Sequence, residues 1–236
     1  MPQIENKIVA MVDQAQYLIG FAEMGDLIPH PYAYAISIAR RLDDTIIDSI
    51  TNGPTPVYRD HYHAVNAELN SLTQEIAGFL KSQGIDSQPV TATVTLSELE
   101  NEFQNNLRYH LSHKMVATRA GLGWIGKSDL LITKKFGPRV RLASVLTNYP
   151  FRNMGIPIEV SGCGSCNLCI TACPAQTATG ESWHIGMDRD QFFNAQKCQN
   201  MCKTLSRKQG IEDTSICGIC VSVCPFGRKH LKTEKR

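Results

Sequence analysis

The sequence contains no cysteine in its first 162 residues, although the chain of 236 residues contains nine. No apolar run approaches the roughly 20 residues that a membrane-spanning helix needs, and the longest one lies near residues 32–39. The opening residues MPQIENK lack the basic head and apolar run of a secretory signal peptide. We therefore expect a soluble, cytoplasmic protein with no membrane partner, and we exclude a secreted disulfide scaffold.

An excess of charge of one sign is also missing. The 24 basic and 22 acidic residues leave a formal net charge of +2, which is too small to indicate a polyanion partner by itself. With 42% hydrophobic residues and 17 glycines, the composition is that of an ordinary globular protein and excludes collagen-like, coiled-coil and disordered chains. The length allows one large domain, or a medium domain with a small second one.

All nine cysteines lie between Cys163 and Cys224, which indicates a site. Cys163, Cys166, Cys169 and Cys173 follow the spacing C-x2-C-x2-C-x3-C-P, which is the spacing of bacterial ferredoxins. The first three thiolates are spaced to hold three corners of an iron–sulfur cube. The fourth cysteine of such a run ordinarily binds the other cluster of a pair, so this run predicts two 4Fe–4S clusters.

The second group is one cysteine short, because Cys217, Cys220 and Cys224 follow only C-x2-C-x3-C-P. The crossing of ligands between clusters then predicts two sets. The first set is Cys163, Cys166, Cys169 and Cys224; the second is Cys173, Cys217, Cys220 and either Cys198 or Cys202. Zinc is the alternative occupant, since paired C-x2-C groups also build zinc ribbons. Three cysteines in so tight a row and two C-x3-C-P endings favour iron–sulfur clusters.

Hydrophobic periodicity predicts the elements of the rest of the chain. Apolar residues at helical spacing predict amphipathic helices over 4–19 and 65–80, and residues 33–38 predict a buried strand. We expect a loop at 52–56, a helix stop at Gly84, an extended segment at 90–94 and a helix over 97–120. Residues 129–133 and 139–146 predict two strands that pair as a hairpin.

The segment 120–127 reads AGLGWIGK, and its three glycines permit positive φ angles or close approach to a ligand. A tight turn with Trp124 in the core is the alternative. Residues 121–128 also match the pattern G-x4-G-K-S of a phosphate-binding loop. Such a loop follows a strand and opens a helix, whereas here a predicted helix precedes and a predicted strand follows, so we do not predict nucleotide hydrolysis.

The order of these motifs resembles the epoxyqueuosine reductase family, which is related to the corrinoid-dependent reductive dehalogenases. The similarity covers roughly residues 55–226 and is strongest over 120–226. It implies that Cys198, rather than Cys202, is the remaining cluster ligand. It also implies a cobalamin whose walls include one loop and the strand 142–147, that is Gly121, Leu122, Gly123, Trp124, Ile125, Gly126, Lys127 and Thr147.

The resemblance further implies an external electron donor of the ferredoxin or flavodoxin type. The substrate would be a small molecule or a modified nucleoside, with tRNA as its carrier in the family. An acidic residue upstream of the glycine loop donates the proton in that family, but residues 107–114 contain no carboxylate. The side chains there that can donate a proton instead are Tyr109, His110, His113 and Lys114.

We therefore expect an α+β protein: an amino-terminal α/β cofactor domain over residues 1–155, followed by a ferredoxin-like domain with two 4Fe–4S clusters over 156–236. The predicted function is an iron–sulfur oxidoreductase that passes electrons through both clusters to a cobalamin. Two alternatives stay open. One is an electron carrier without a corrinoid that serves a partner enzyme, and the other is a zinc-stabilised RNA-binding module.

Overall fold

The fold was analysed in a computed structural model, which describes residues 4–93, 106–109 and 111–228. The chain begins with helix α1 (Ile4–Ala10), strand β1 (Tyr17–Glu23) and strand β2 (Tyr34–Arg41). Two helices follow, α2 (Asp44–Ser49) and α3 (Pro56–Ser82), and then strand β3 (Ser87–Val90). Helix α4 (His113–Arg119) leads into three further strands, β4 (Gly123–Ile125), β5 (Leu131–Thr133) and β6 (Val140–Thr147).

The described part of the cysteine-rich segment contains three short helices, α5 (Leu168–Thr171), α6 (Arg189–Phe192) and α8 (Ile219–Val223), and one longer helix, α7 (Ala195–Lys208). A 3-10 turn (Pro225–Arg228) follows α8. Mixed helices and strands followed by this segment confirm the predicted α+β class. The boundary at residues 155 and 156 stays a prediction.

An antiparallel sheet with the strand order β1-β2-β6-β3 forms the centre of the molecule. In its register Ile38 of β2 lies opposite Ile19 of β1 and Ala143 of β6. Because successive side chains of a strand face opposite sides, Ile36 and Ile38 pack with α3 on one face, and Ala35 packs with α4 on the other. The sheet is therefore the middle layer between two helices.

Local signals fix both ends of the long helix α3. The Thr55 hydroxyl accepts a hydrogen bond from the amide of Tyr58, and Pro56 occupies the first helical position, as expected at a helix start. After Ser82 the chain turns at Gly84, which has φ of +75°. The predicted helix, the loop before it and the glycine stop are confirmed, as is the buried strand at 33–38.

Two predictions for the first half of the chain are wrong. The helix predicted over 4–19 ends at Ala10, because Asp13 forms a turn in which its carboxylate and carbonyl accept the amides of Ala15 and Gln16. Leu18 and Ile19 belong to strand β1 instead. The extended segment predicted at 90–94 is shifted towards the amino terminus, as β3 ends at Val90.

The predicted hairpin of 129–133 and 139–146 is also wrong. Both strands exist, but β5 pairs with β4 in a separate two-stranded sheet, while β6 pairs with β2 and β3. Of the helix predicted over 97–120, α4 is confirmed and residues 107–109 are not helical. Residues 97–105 and 110 lie outside the described part of the chain.

Candidate iron–sulfur and cofactor site

The cysteine side chains come together in two groups. In the first, Cys169 interacts electrostatically with Cys163 and Cys166, and Cys224 interacts with Cys163 and Cys169. Helices α5 and α8 are in contact, so the carboxyl-terminal Cys224 reaches a group whose other members lie more than fifty residues upstream. Burial raises the pKa of Cys169, and it raises that of Cys224 to about 11, so neither thiol ionises readily without a bound cation.

In the second group, Cys220 interacts with Cys217, Cys198 and Cys173, and burial raises its pKa. Cys198 and Cys202 are four residues apart on α7 and face the same side. A hydrogen bond from Cys202 lowers the pKa of Cys198 and lowers that of Cys217 to about 7, while the same contacts raise the pKa of Cys202. The second group therefore has five thiols, one more than a 4Fe–4S cluster needs, and Cys220 also interacts with Cys169 of the first group.

Two observations test whether these residues fit iron–sulfur clusters. The described His, Cys, Asp and Glu side chains form no group of three with the arrangement of a single-ion site. The indole nitrogen of Trp124 is buried without a hydrogen-bond partner among the described residues. It lies in an apolar cluster with Cys163 and Cys224. A cluster sulfur would accept this N–H, so the residues fit.

A cavity of about 500 Å³ lies beside the second thiol group. Six thiols line it, those of Cys169, Cys173, Cys198, Cys202, Cys217 and Cys220. Its lining also includes aromatic and apolar side chains, among them Tyr58, Tyr62, Leu130 and Leu142, together with Arg141. The volume is that of a site for a drug-sized group.

Arg141 is fixed in the cavity lining by α3. Its guanidinium donates to the Asn66 amide oxygen at 2.9 Å and to the Tyr62 hydroxyl at 3.2 Å, and it stacks on the Tyr62 ring with 4.2 Å between the guanidinium carbon and the ring centroid. Burial raises the pKa of the neighbouring Tyr58 hydroxyl. The cavity thus presents a fixed cation and a neutral phenol.

His113 has both ring nitrogens in hydrogen bonds. Nε2 donates to the Thr91 carbonyl at 2.9 Å, so Nδ1 accepts from the Ser144 hydroxyl at 2.9 Å. Burial lowers the pKa of His113 to about 4. The ring is therefore neutral near pH 7 and ties α4 to β6.

Of the predicted donors, His113 and Lys114 both line the cavity. The Lys114 ammonium group donates to the Asp129 carboxylate at 2.6 Å and to the Asp129 carbonyl at 2.7 Å, and Asp129 lines the cavity as well. Tyr109 is half-buried and lies away from the cavity walls, and His110 lies outside the described residues. Asp129 was not predicted from the sequence, because only residues 107–114 were considered as replacements for the family acid. Its position just after the glycine loop could have identified it as a candidate.

None of the eight residues predicted to wall a cobalamin lines this cavity, and several of them contact other parts of the protein. A Cβ atom on Gly123 would lie 2.2 Å from the Ile132 carbonyl oxygen, and one on Gly121 would lie 2.8 Å from that of Ile156. Trp124 packs edge-on against Phe226, and the Lys127 ammonium donates to Asn167. Thr147 is fully buried. Their assignment to a cofactor stays a prediction.

Comparison with known proteins identifies the cysteine-rich segment. Residues 162–227 match the family described as a 4Fe-4S double cluster binding domain. The epoxyqueuosine reductase of Listeria monocytogenes is 35% identical over 128 residues, which are 51% of this chain and 31% of that protein. The Bacillus subtilis enzyme is 34% identical over 137 residues, 52% of this chain and 32% of the relative. Tetrachloroethene reductive dehalogenase of Sulfurospirillum multivorans is 33% identical over 124 residues, 49% and 23% of the two chains.

Solved structures share the fold. A crystal structure of selenomethionine-labelled epoxyqueuosine reductase has a TM-score of 0.62 at 20% identity and covers 96% of this chain and 66% of its own. A B12-dependent reductive dehalogenase has a TM-score of 0.64 at 16% identity, covering 90% of this chain and 30% of its own. One epoxyqueuosine reductase was solved with an epoxyqueuosine-modified tRNA stem loop, with a TM-score of 0.60 at 20% identity, covering 96% of this chain and 64% of its own.

The fold and the matched segment together define a protein with a 4Fe–4S double cluster binding domain attached to a mixed helix and sheet domain. Within that class the chain is similar in sequence to the epoxyqueuosine reductases, which confirms the resemblance inferred from its motifs. The chain spans about a third of the length of the two epoxyqueuosine reductases compared by sequence above, 31% of the Listeria enzyme and 32% of the Bacillus enzyme. Among the residues that the structure describes, no helix combines the length and apolar character needed to cross a bilayer.

Proposed function

We propose that this chain is an iron–sulfur reductase in which two 4Fe–4S clusters carry electrons from an external donor to a cobalamin in the cavity beside the thiols. The cavity's position carries the proposal. The cavity is lined both by the proposed cluster thiols and by aromatic, apolar and basic side chains of the preceding domain. A group held there lies directly against the second cluster.

The grouping of the thiols supports the ligand sets. The first cluster takes Cys163, Cys166, Cys169 and Cys224, and the second takes Cys173, Cys198, Cys217 and Cys220. When bound, the clusters supply single electrons and the cobalamin supplies the redox chemistry of its cobalt. The cavity of about 500 Å³ suits a drug-sized group, so a whole cobalamin extends past the described walls.

The chain's own residues then bind the cofactor and supply a proton to the substrate. Arg141 and Tyr62 offer donors to polar substituents of the bound group, and Leu130 and Leu142 exclude water from one side of it. Lys114 holds a proton at its ammonium group, and Asp129 positions that group at the wall. We assign Lys114 as the proton donor in place of the missing family acid, with His113 as a residue that positions α4.

The substrate is a small molecule or a modified nucleoside, and the relative solved with a modified tRNA stem loop supports the nucleoside class. The electron donor is a ferredoxin or flavodoxin. A cytoplasmic location fits this assignment, since both partners are soluble there.

Anaerobic reconstitution tests the proposal. Protein loaded with iron and sulfide should bind one cobalamin per chain and change the visible spectrum of the corrinoid. Leu142→Trp fills the cavity and should abolish binding. Leu27→Trp, the same substitution at a residue 44% exposed and distant from the cavity, should not. Equal binding by the two variants would place the corrinoid elsewhere.

The second candidate is an electron carrier that binds no corrinoid. The glycine loop favours it, because its glycines are used for contacts within the protein. This candidate expects reversible reduction of both clusters, tight capture of a partner enzyme, and no spectral change with cobalamin. Absence of acid-labile sulfide in anaerobically isolated protein would contradict both candidates and favour zinc.

A further inference from the structure

Helix α7 has two faces of different character. Cys198, Met201 and Cys202 lie on the inner face and line the cavity. Lys197, Lys203, Arg207 and Lys208 are all exposed and cover the outer face. The helix contains no acidic residue, so all the charges that it presents to solvent are positive, with the exposed neutral side chains of Gln196, Asn200 and Thr204 among them. We call the four basic residues the α7 basic face.

These cations are unpaired, unlike most arginines of the protein. Within the described residues none of the four takes part in a salt bridge, whereas Arg40, Arg108 and Arg139 each pair with a carboxylate. Like charges on one helix repel one another, and without acidic partners these cations do not stabilise it through ion pairs. Their field therefore extends into solvent.

Helix stability does not explain the α7 basic face either. Arg207 and Lys208 are in the last turn, where cations interact favourably with the helix dipole. Lys197 is in the first turn, where a cation is unfavourable, and Lys203 is in the middle. A stripe that runs the whole length of the helix fits an extended anionic partner better than a capping role.

We infer that the α7 basic face is the docking surface for an acidic one-electron carrier protein, such as a reduced flavodoxin. The inference rests on the proposed function, because it needs the second cluster. In the docked pair the carrier loses one electron and the cluster gains it, with no bond made or broken. Charge complementarity of this kind raises association rates about 10- to 1000-fold at low salt.

Rapid mixing of the reconstituted full chain with reduced flavodoxin tests the docking surface. Lys203→Glu/Arg207→Glu should lower the second-order rate of cluster reduction at least tenfold at low ionic strength. The deficit should shrink as salt screens the charges. The neutral pair Lys203→Gln/Arg207→Gln should give an intermediate rate. Lys81→Glu/Lys134→Glu makes the same charge change at exposed lysines elsewhere and should react like the parent protein.

Reduction by dithionite, a small inorganic reductant, distinguishes a failure of the proposed function from a failure of the docking surface alone. Because dithionite is itself an anion, its rate can also change with the charge of the surface, but at completion it should reduce the clusters of every variant to the same extent. A parent protein without reducible clusters overturns the proposed function and the docking surface with it. Normal dithionite reduction with an unchanged flavodoxin rate in the charge-reversed variant overturns the docking surface alone. The docking surface is also overturned if that variant loses only its binding to a tRNA stem loop, because the α7 basic face then serves RNA.

Discussion

At the scale of single residues, Trp124 has a hydrogen-bond donor that the protein does not use. Its N–H is buried, Cys163 and Cys224 pack in the same apolar cluster as the indole, and a buried unpaired donor costs about 1–3 kcal/mol. A bond to a cluster sulfur stabilises the more negative, reduced cluster. Trp124→Phe should therefore lower the midpoint potential of the first cluster by about 20–60 mV, since one hydrogen bond contributes about 1 kcal/mol.

Redox titration followed by electron paramagnetic resonance gives this potential. Trp183→Phe, in the same apolar cluster, controls for lost packing and should leave the potential unchanged. An unaltered potential in the Trp124 variant would mean that the indole donates to something other than the cluster.

The choice between Cys198 and Cys202 is a second residue-scale question. The resemblance assigns Cys198 as the ligand, and both thiols face the cavity. Cys198→Ser should lose one of two cluster signals, and iron should fall from about eight to about four per chain. Cys202→Ser should keep both signals. Equal iron loss in the two variants would refute the assignment.

His113 makes stability depend on pH. Burial lowers its pKa to about 4 in the folded protein, whereas the unfolded chain has a value near 6.5. Between these values the unfolded state binds the extra proton, so the free energy of unfolding falls as pH decreases through this window. From pH 7 to pH 5 the loss is about 2 kcal/mol.

Urea unfolding at both pH values, followed by circular dichroism, measures this loss. The side chain of the His113→Gln variant cannot titrate. The free energy of unfolding of this variant should therefore decrease by about 2 kcal/mol less than that of the parent between pH 7 and pH 5, although the variant is less stable at pH 7. The comparison between the two proteins cancels the contribution of the clusters. An equal decrease in the free energy of unfolding of both proteins would show that His113 binds a proton in the folded state as readily as in the unfolded state.

At the scale of elements, the glycine segment stabilises strand pairing. Gly123 lies opposite Thr133, and an added Cβ atom would overlap the Ile132 backbone. Gly123→Ala should destabilise the protein by about 2 kcal/mol or more, because backbone has to move. Gly78→Ala, in α3 with no atom within 4 Å of the new Cβ, should stabilise by about 0.5–1 kcal/mol.

Thermal unfolding midpoints of the two variants separate the packing role from a cofactor role. If the Gly123 variant kept the parent midpoint but failed to bind cobalamin, the segment would serve the cofactor, as the resemblance implies.

Sequence predicted those elements whose signals are local. Helix α3 carries its own cap, periodic apolar face and terminal glycine, so its fold follows from nearby residues. The strand β1 was missed because Leu18 and Ile19 continue the helical spacing of α1, and pairing with β2 decides their conformation. Likewise, β5 and β6 look like a hairpin locally, but each pairs with a different strand instead.

At the scale of the molecule, the double-cluster segment could be predicted from cysteine spacing because a cube needs fixed ligand distances, while the assignment of each thiol to a cluster stays a prediction. The cavity could not be predicted. Its walls come from α3, α4, β6 and the cysteine-rich segment, and no local pattern records that they meet. Asp129 belongs to the site only through this assembly.

The two halves of the molecule differ in what holds them together. The main apolar core contains residues of α3 and of strands β1, β2 and β6; from the described residues after 160 it includes Ile216 and Val221, with Cys220 packed against it. The helices α5 and α7 contain few buried side chains. The cysteine-rich segment therefore depends on bound clusters for much of its stability, while the sheet does not.

Removal of the clusters with a chelator under reducing conditions should separate these contributions. Hydrogen exchange should become fast in 162–175 and 195–208 and stay slow in β2 and β6, whose amides are buried in the sheet core. Residues 216–221 should keep intermediate protection, because they pack on that core. Exchange that accelerates equally in the strands would mean that the clusters hold the whole chain together as one cooperative unit, and the predicted division near residue 155 would then have no physical basis.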